Sequence, residues 1–139
     1  MKKNMTAFVM LFVFLPLLSG MGAFQGQSPE KIPVPTKKFA ATFVDQTDVL
    51  TDLRDVSIEG GTFLEGSRGE GAIAISFDNI REVSFLLDGA KLRGITTLRD
   101  GQTIELTLNK NQRAYGHTKY GTFQIKLSDL KKIILNKAR

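Results

Sequence analysis

Hydrophobic and polar positions alternate along most of the chain beyond residue 39. In Gly71–Phe77, the side chains of Ile73, Ile75 and Phe77 fall on one side of an extended backbone, with Ala72, Ala74 and Ser76 on the other. Thr103–Leu108 sorts Ile104, Leu106 and Leu108 from Thr103, Glu105 and Thr107, and Gly121–Leu127 sorts Phe123, Ile125 and Leu127 from Thr122, Gln124 and Lys126. A period of two is the signature of half-buried strands. It predicts strands over Phe39–Asp45, Gly71–Phe77, Glu82–Leu87, Lys91–Leu98, Thr103–Leu108, Gly121–Leu127 and Lys132–Leu135. Glycine-bounded hairpins are expected at Gly66–Gly71 and Gly116–Gly121. Short turns are expected at Asp78-Asn79-Ile80 and Ser128-Asp129-Leu130, where a polar side chain bonds nearby amides and Ile80 or Leu130 enters the core. Asp100-Gly101 predicts a two-residue hairpin turn with both central residues at positive φ. Residues 48–59 are ambiguous. Val49, Leu53 and Val56 have helical spacing, whereas Val56 and Ile58 alternate, so a strand with a bulge and a short helix both stay open.

The pattern occurs twice. Shifted by 50 positions, Gly71–Phe85 lies over Gly121–Leu135 without a gap, and the apolar positions coincide: Ile73/Phe123, Ile75/Ile125, Phe77/Leu127, Ile80/Leu130, Val83/Ile133 and Phe85/Leu135. Gly66 also matches Gly116, and Arg81 matches Lys131. A unit of this length buries too little surface to stand alone. The fold class expected is therefore all-β: a duplicated antiparallel unit, with repeats at about 39–87 and 91–135, forming a small barrel or a two-sheet sandwich.

The N-terminus has a different character. Lys2 and Lys3 precede an apolar run from Ala7 to Leu18, and Ser19, Gly20 and Gly22 follow as small residues. The run is shorter than the roughly 20 residues a spanning helix needs. It reads as a cleaved secretory signal over residues 1–22, so the chain is expected to be exported, to the periplasm or the medium, without a permanent membrane anchor. Pro29, Pro33 and Pro35 then mark residues 23–38 as an extended linker ahead of a β domain at 39–139.

Composition narrows the chemistry. There is no Cys among the 139 residues, which excludes disulfides, thiolate metal sites and a cysteine nucleophile. The net charge of +5 drops to +3 once Lys2 and Lys3 are removed. That is too little for a nucleic-acid footprint. The single His, His117, stands between Tyr115 and Tyr120 with no serine in a nucleophile elbow and no ligand partner at a metal-binding spacing. Asp45, Asp48, Asp52 and Asp55 cluster, but they lack the alternate-residue pattern and the glycine of a calcium loop. Gly60-Gly61 and Gly66–Gly71 precede strands, whereas a phosphate cradle opens a helix. No catalytic, cofactor-binding or metal-binding residue is assigned, and no cofactor is expected. Tyr115, His117 and Tyr120 are the candidates for stacking on a sugar or peptide, and Lys131 and Lys132 for meeting an anionic polymer or headgroup.

Residues Leu98–Leu106 and Gly121–Ile133 together resemble small exported bacterial β domains of unknown function. Those domains pair a basic-Asp-Gly hairpin with a Gly-Thr-aromatic-x-Ile strand and an Ile-Lys ending. The resemblance spans residues 40–135 at most. It implies a fold and carries no site residue with it. The expected function is an exported, non-catalytic β module whose partner is a protein or an envelope polymer. The alternative is a small secreted hydrolase using Asp78, Asp100 or Asp129, which requires a buried pair of them in one pocket. A third reading, an inhibitor or chaperone-like partner, requires an exposed apolar patch around Leu86, Ile134 and Tyr115.

Overall fold

A computed structural model describes residues 32–136. The expected signal, 1–22, and most of the expected linker lie outside the described residues. The fold is all-β. Its ten strands are β1 (Ala40–Asp45), β2 (Leu50–Ile58), β3 (Phe63–Arg68), β4 (Gly71–Ser76), β5 (Ile80–Asp88), β6 (Lys91–Leu98), β7 (Thr103–Leu108), β8 (Arg113–His117), β9 (Thr122–Lys126) and β10 (Leu130–Leu135). They form one antiparallel sheet in the order β4-β3-β7-β6-β5-β10-β1-β2-β8-β9, curled into a half-barrel. Phe43 on β1 touches Phe123 on β9 with ring centroids 6.3 Å apart, although β2 and β8 lie between these strands. The end of the sheet therefore folds back over its own concave face. The ambiguous stretch is a strand with a bulge. β2 keeps register with β1 from Leu50 to Arg54, then slips against β8 between Arg54 and Ser57, where Asp55 takes a φ of 53°.

The strand order is two-fold. Reading outward from the centre, β5-β6-β7-β3-β4 mirrors β10-β1-β2-β8-β9. The axis passes between Val83 and Ile133, which face each other across the β5–β10 ladder and are themselves 50 positions apart. Hydrogen bonds repeat under the same operation. Phe77 N–H donates to Thr62 O at 2.9 Å, as Leu127 N–H does to Gln112 O at 2.9 Å. Arg99 N–H donates to Asn79 O at 2.9 Å, as Gln46 N–H does to Asp129 O at 3.0 Å. The chain is divided unequally between the halves. One is continuous from β3 to β7, and the other joins β8–β10 to β1 and β2 from the opposite end of the sequence. The repeats read from sequence at about 39–87 and 91–135 thus interleave in space, each lending its first two strands to the half built by the other's last three.

Alternation decides what is buried. Leu64, Ile80, Leu92, Leu106, Leu127 and Leu130 are each no more than 1% exposed and join a core cluster drawn from both halves. Ile80 and Leu130 occupy the core positions expected of them, each directly after a 3-10 turn, over Phe77–Asn79 and Leu127–Asp129. In the first of these turns the amide of Asp78 is capped by Ser76 Oγ at 3.2 Å. Phe39 meets Phe77 edge-on at 5.5 Å, which links the two halves inside the core.

The turns follow local chemistry, with one departure from expectation. Gly69-Glu70 and Gly89-Ala90 close two-residue hairpins with positive φ at the glycine alone, the arrangement that needs Gly first. At Asp100-Gly101 the expected two-residue turn is instead a three-residue loop. Gly101 N–H donates to Leu98 O, Leu98 N–H donates to Gln102 O, and only Gly101 has positive φ. A three-residue loop needs positive φ only at its last position, which Gly101 takes, and the Asp100 carboxylate accepts from the Gln102 amide at 2.9 Å. The proline-rich segment also packs earlier than its composition suggests. Ile32 is 9% exposed, and a Cβ added at Gly60 would stand 3.0 Å from Pro33 Cβ. From Ile32 onward this segment runs along the body.

Gly66 and Gly116, matched in sequence, do the same work in space. A Cβ on Gly66 would lie 2.8 Å from Thr107 O and 3.1 Å from Leu106 Cβ; one on Gly116 would lie 2.9 Å from Leu53 Cβ. Each glycine lets its strand fold tightly over the neighbouring strand's leucine, which is where the sheet curls. Gly66→Ala is expected to cost about 1–3 kcal/mol in a urea unfolding titration. Gly121→Ala, with nothing within 4 Å of the new Cβ, should stay within about 0.5 kcal/mol of the parent.

Candidate functional site

A groove of about 620 Å³ opens beside β2 in the split half. β8 pairs with β2 only from Arg54 onward, so Leu50–Leu53 have β1 on one side and no described strand on the other. Where β8 would continue, the chain turns back through Thr118–Gly121. Thr118 organises this tip. Its Oγ1 accepts from the amides of Tyr120 at 2.9 Å and Gly121 at 3.0 Å, and its own N–H donates to Gly121 O at 2.7 Å. The result is a cleft walled by Leu50, Asp52 and Arg54 on one side and by His117, Lys119 and Tyr120 on the other, with Ala41 and Leu53 at its base and Asn136 at one end.

Two apolar groups stand open at its rim. Tyr120 is 88% exposed, with Lys119 Nζ 5.2 Å from its ring centre, and Leu50 is 66% exposed. Below them lies a polar pair. The β2 bulge turns the Asp55 carboxylate toward β8, 3.9 Å from both His117 Nδ1 and Arg54 Nη1. At that distance neither contact is a hydrogen bond, and His117 Nδ1 is buried with no hydrogen-bond partner among the described residues.

The five residues singled out from sequence separate. His117 and Tyr120 both line the groove. Tyr115 shares the His117 face of β8, as alternation requires, but it is only 2% exposed, and burial, reinforced by the nearby Glu59 charge, raises its phenol pKa above 10.0. Lys131 and Lys132 lie on β10, where Lys131 Nζ meets Asp48 Oδ1 at 2.5 Å and Lys132 Nζ lies 3.6 Å from Glu82 Oε2. Leu50, Asp52, Arg54 and Asn136 were missed by sequence reasoning. The available signal was the break in alternation within 48–59, where an apolar Val49-Leu50 pair precedes the bulge.

The acidic cluster disperses into separate duties. The Asp45 carboxylate accepts from the Thr47 amide and hydroxyl and from the Val49 amide, which holds its pKa below the usual range. Asp52 accepts from Thr42 Oγ1 at 2.7 Å, Asp48 meets Lys131, and Asp55 faces His117. Among the described residues no three His, Cys, Asp or Glu side chains are grouped to hold a metal ion. Ser57, near Asp55 and opposite Tyr115 in the ladder, is 1% exposed, so its hydroxyl meets no substrate. Asp78, Asp100 and Asp129 are all exposed turn residues. Of the suggested apolar patch only Leu86 is open, since Ile134 is half-buried and Tyr115 buried. No helix among the described residues is long and apolar enough to cross a membrane.

Fold and groove together define a small all-β module built on a two-fold half-barrel. The chain belongs to a family described as "Uncharacterised protein", whose model matches residues 35–138 and so takes in every strand. No curated protein and no solved structure matches it.

The ion pair at Asp78 gives a direct check on this electrostatic picture. Its carboxylate accepts a hydrogen bond from Lys37 Nζ and another from Ser76 Oγ, and the Lys37 contact is the chief cause of a pKa held below 3.8. A depressed folded-state pKa stabilises the fold above the unfolded value, and this contribution disappears as the pH falls through the lower folded value. An NMR titration of the Asp78 carboxyl should place its midpoint below 3.8, and Lys37→Ala should move it back up.

Proposed function

We propose that this protein is an exported, non-catalytic binding module whose partner, a protein or an envelope polymer, docks in the groove between β2 and the β8–β9 tip. The observation that carries this reading is the difference between the two halves. Under the two-fold, the Arg54–His117 pair corresponds to Thr107–Ser67, and Tyr120 corresponds to Glu70. The bulged, left-handed Asp55 has its counterpart in a strand, β7, whose described residues all have ordinary φ. A scaffold serving itself alone has no need to differ here. The open strand segment is common to both halves, since Thr103–Leu106 of β7 likewise pair with β6 alone among the described residues, but the exposed tyrosine and leucine beside it occur in one half only, and they suit the docking of a partner. The basic, apolar N-terminal run supports export.

A secreted hydrolase using Asp78, Asp100 or Asp129 has less behind it. General acid catalysis at neutral pH needs a carboxyl whose pKa is raised, whereas Asp78 is depressed and bound to Lys37, and Asp100 caps its own loop. The test is retention of envelope components from the producing cell by immobilised protein. The parent and Lys131→Ala should retain the same partner. Tyr120→Ala and Leu50→Ala should each weaken retention by about tenfold, equivalent to ~1.4 kcal/mol. Equal retention by all four proteins would remove the groove from the account, and turnover of envelope polysaccharide or peptide by the purified protein would overturn the non-catalytic reading.

A further inference from the structure

β4 ends the sheet, with β3 on one side and no described strand on the other. Its ladder with β3 runs unbroken from Arg68↔Gly71 to Phe63↔Ser76 and is extended by the Phe77 N–H bond to Thr62 O. Hydrogen-bonded and non-bonded pairs alternate in an antiparallel ladder. The Thr62/Phe77 bond therefore assigns the backbone groups of Gly71, Ile73 and Ile75 to β3. It turns the N–H and C=O groups of Ala72, Ala74 and Ser76 outward, to the open edge. Ala72 and Ala74 are exposed, and Gly71–Phe77 contains no charge and no proline. Sheet edges are ordinarily blunted by lysine, proline or a bulge. The two-fold counterpart β9 carries Lys126, whereas β4 carries none of these.

We propose that the open edge of β4 is an interface between two copies of this chain, paired antiparallel about Ala74. The edge is self-complementary. A two-fold axis at Ala74 sets Ala74 against Ala74 and Ala72 against Ser76 of the second copy, so every outward-facing backbone group meets an outward-facing group. The alanine side chains leave room for the approach. The same register brings Glu70 opposite Asp78 of the second copy, a like-charge contact that the Lys37 ion pair on Asp78 offsets in part. The pairing uses up the β4 edge of both copies, so it closes at a dimer and does not propagate into a fibre.

Sedimentation velocity of the purified protein over micromolar to submillimolar concentrations tests this. The parent and Ala74→Ser, which keeps the outward N–H and the small side chain, are expected to show the same monomer–dimer equilibrium. Ala74→Pro removes the outward N–H without touching the β3 ladder, a substitution edge strands tolerate. Ala74→Lys keeps the backbone donor and sets two like charges opposite each other at the axis. Both should weaken the dimer by about tenfold or more while retaining the parent's circular dichroism spectrum; should the proline variant misfold, the lysine variant carries the test. A parent that stays monomeric throughout, one that forms larger aggregates in place of a dimer, or a dimer equally strong in the lysine variant would overturn the proposal.

Discussion

The ladder between β5 and β10 carries three residue pairs, Lys132↔Ser84, Ile133↔Val83 and Ile134↔Glu82, and among the described residues it is the one strand junction between the two halves of the sheet. On the concave side it presents Val83 and Ile133, 2% and 3% exposed, flanked by Phe85 and Leu135 from the same strands. The Lys132–Glu82 pair on the other side is part-exposed at 3.6 Å and adds little. Apolar burial about the axis therefore does most to hold the halves together. Each half alone would expose this row of side chains. Covalent continuity reinforces the arrangement, because β1 and β2 come from one end of the chain and β8–β10 from the other, so the split half cannot form without bringing the ends together across the continuous half.

A smaller contact fastens the same seam. Arg99, from the β6–β7 loop of the continuous half, donates through Nη2 to Asn136 O, just beyond β10, at 3.1 Å. Within the split half, Gln46, from the β1–β2 loop, donates through Nε2 to Leu130 O at 2.8 Å and ties that loop to the other end of β10. With the scaffold fixed by repeated features, the features that do not repeat become informative. The β2 bulge, His117 and Tyr120 all belong to the split half, and all three bear on one groove.

Much of the fold was legible in the sequence because period-two alternation reports which face a side chain takes. Ile80, Val83, Leu106, Leu127 and Ile133 are buried where the pattern puts them, and Asp78 and Ser128 sit in the expected turns. Alternation does not report which strand lies alongside which. That β1 and β2 join β10 and β8 was hidden because pairing between distant segments depends on the whole sheet. A second difficulty compounds this. The last three strands of each unit are related by 50 positions, whereas β1 and β2 relate to β6 and β7 by 53, as Ala41↔Leu135 and Gly94↔Phe85 show. The groove was half legible. His117 and Tyr120 stood out by residue type, but Leu50 and Asp52 become a wall only because β8 stops at Arg54. Tyr115 looked available because an aromatic residue in a Gly-rich stretch gives no sign of being covered.

The central claim is that the two halves form one cooperative body joined at β5 and β10. Native-state hydrogen exchange measures this most directly. The account predicts that core amides of β5, β6, β10 and β1 share one high opening free energy, equal to that of global unfolding and falling together as urea is added. If the continuous half, β3–β7, opened and closed at a distinctly different free energy from β8–β10 with β1 and β2, the halves would be independent and the account would be contradicted.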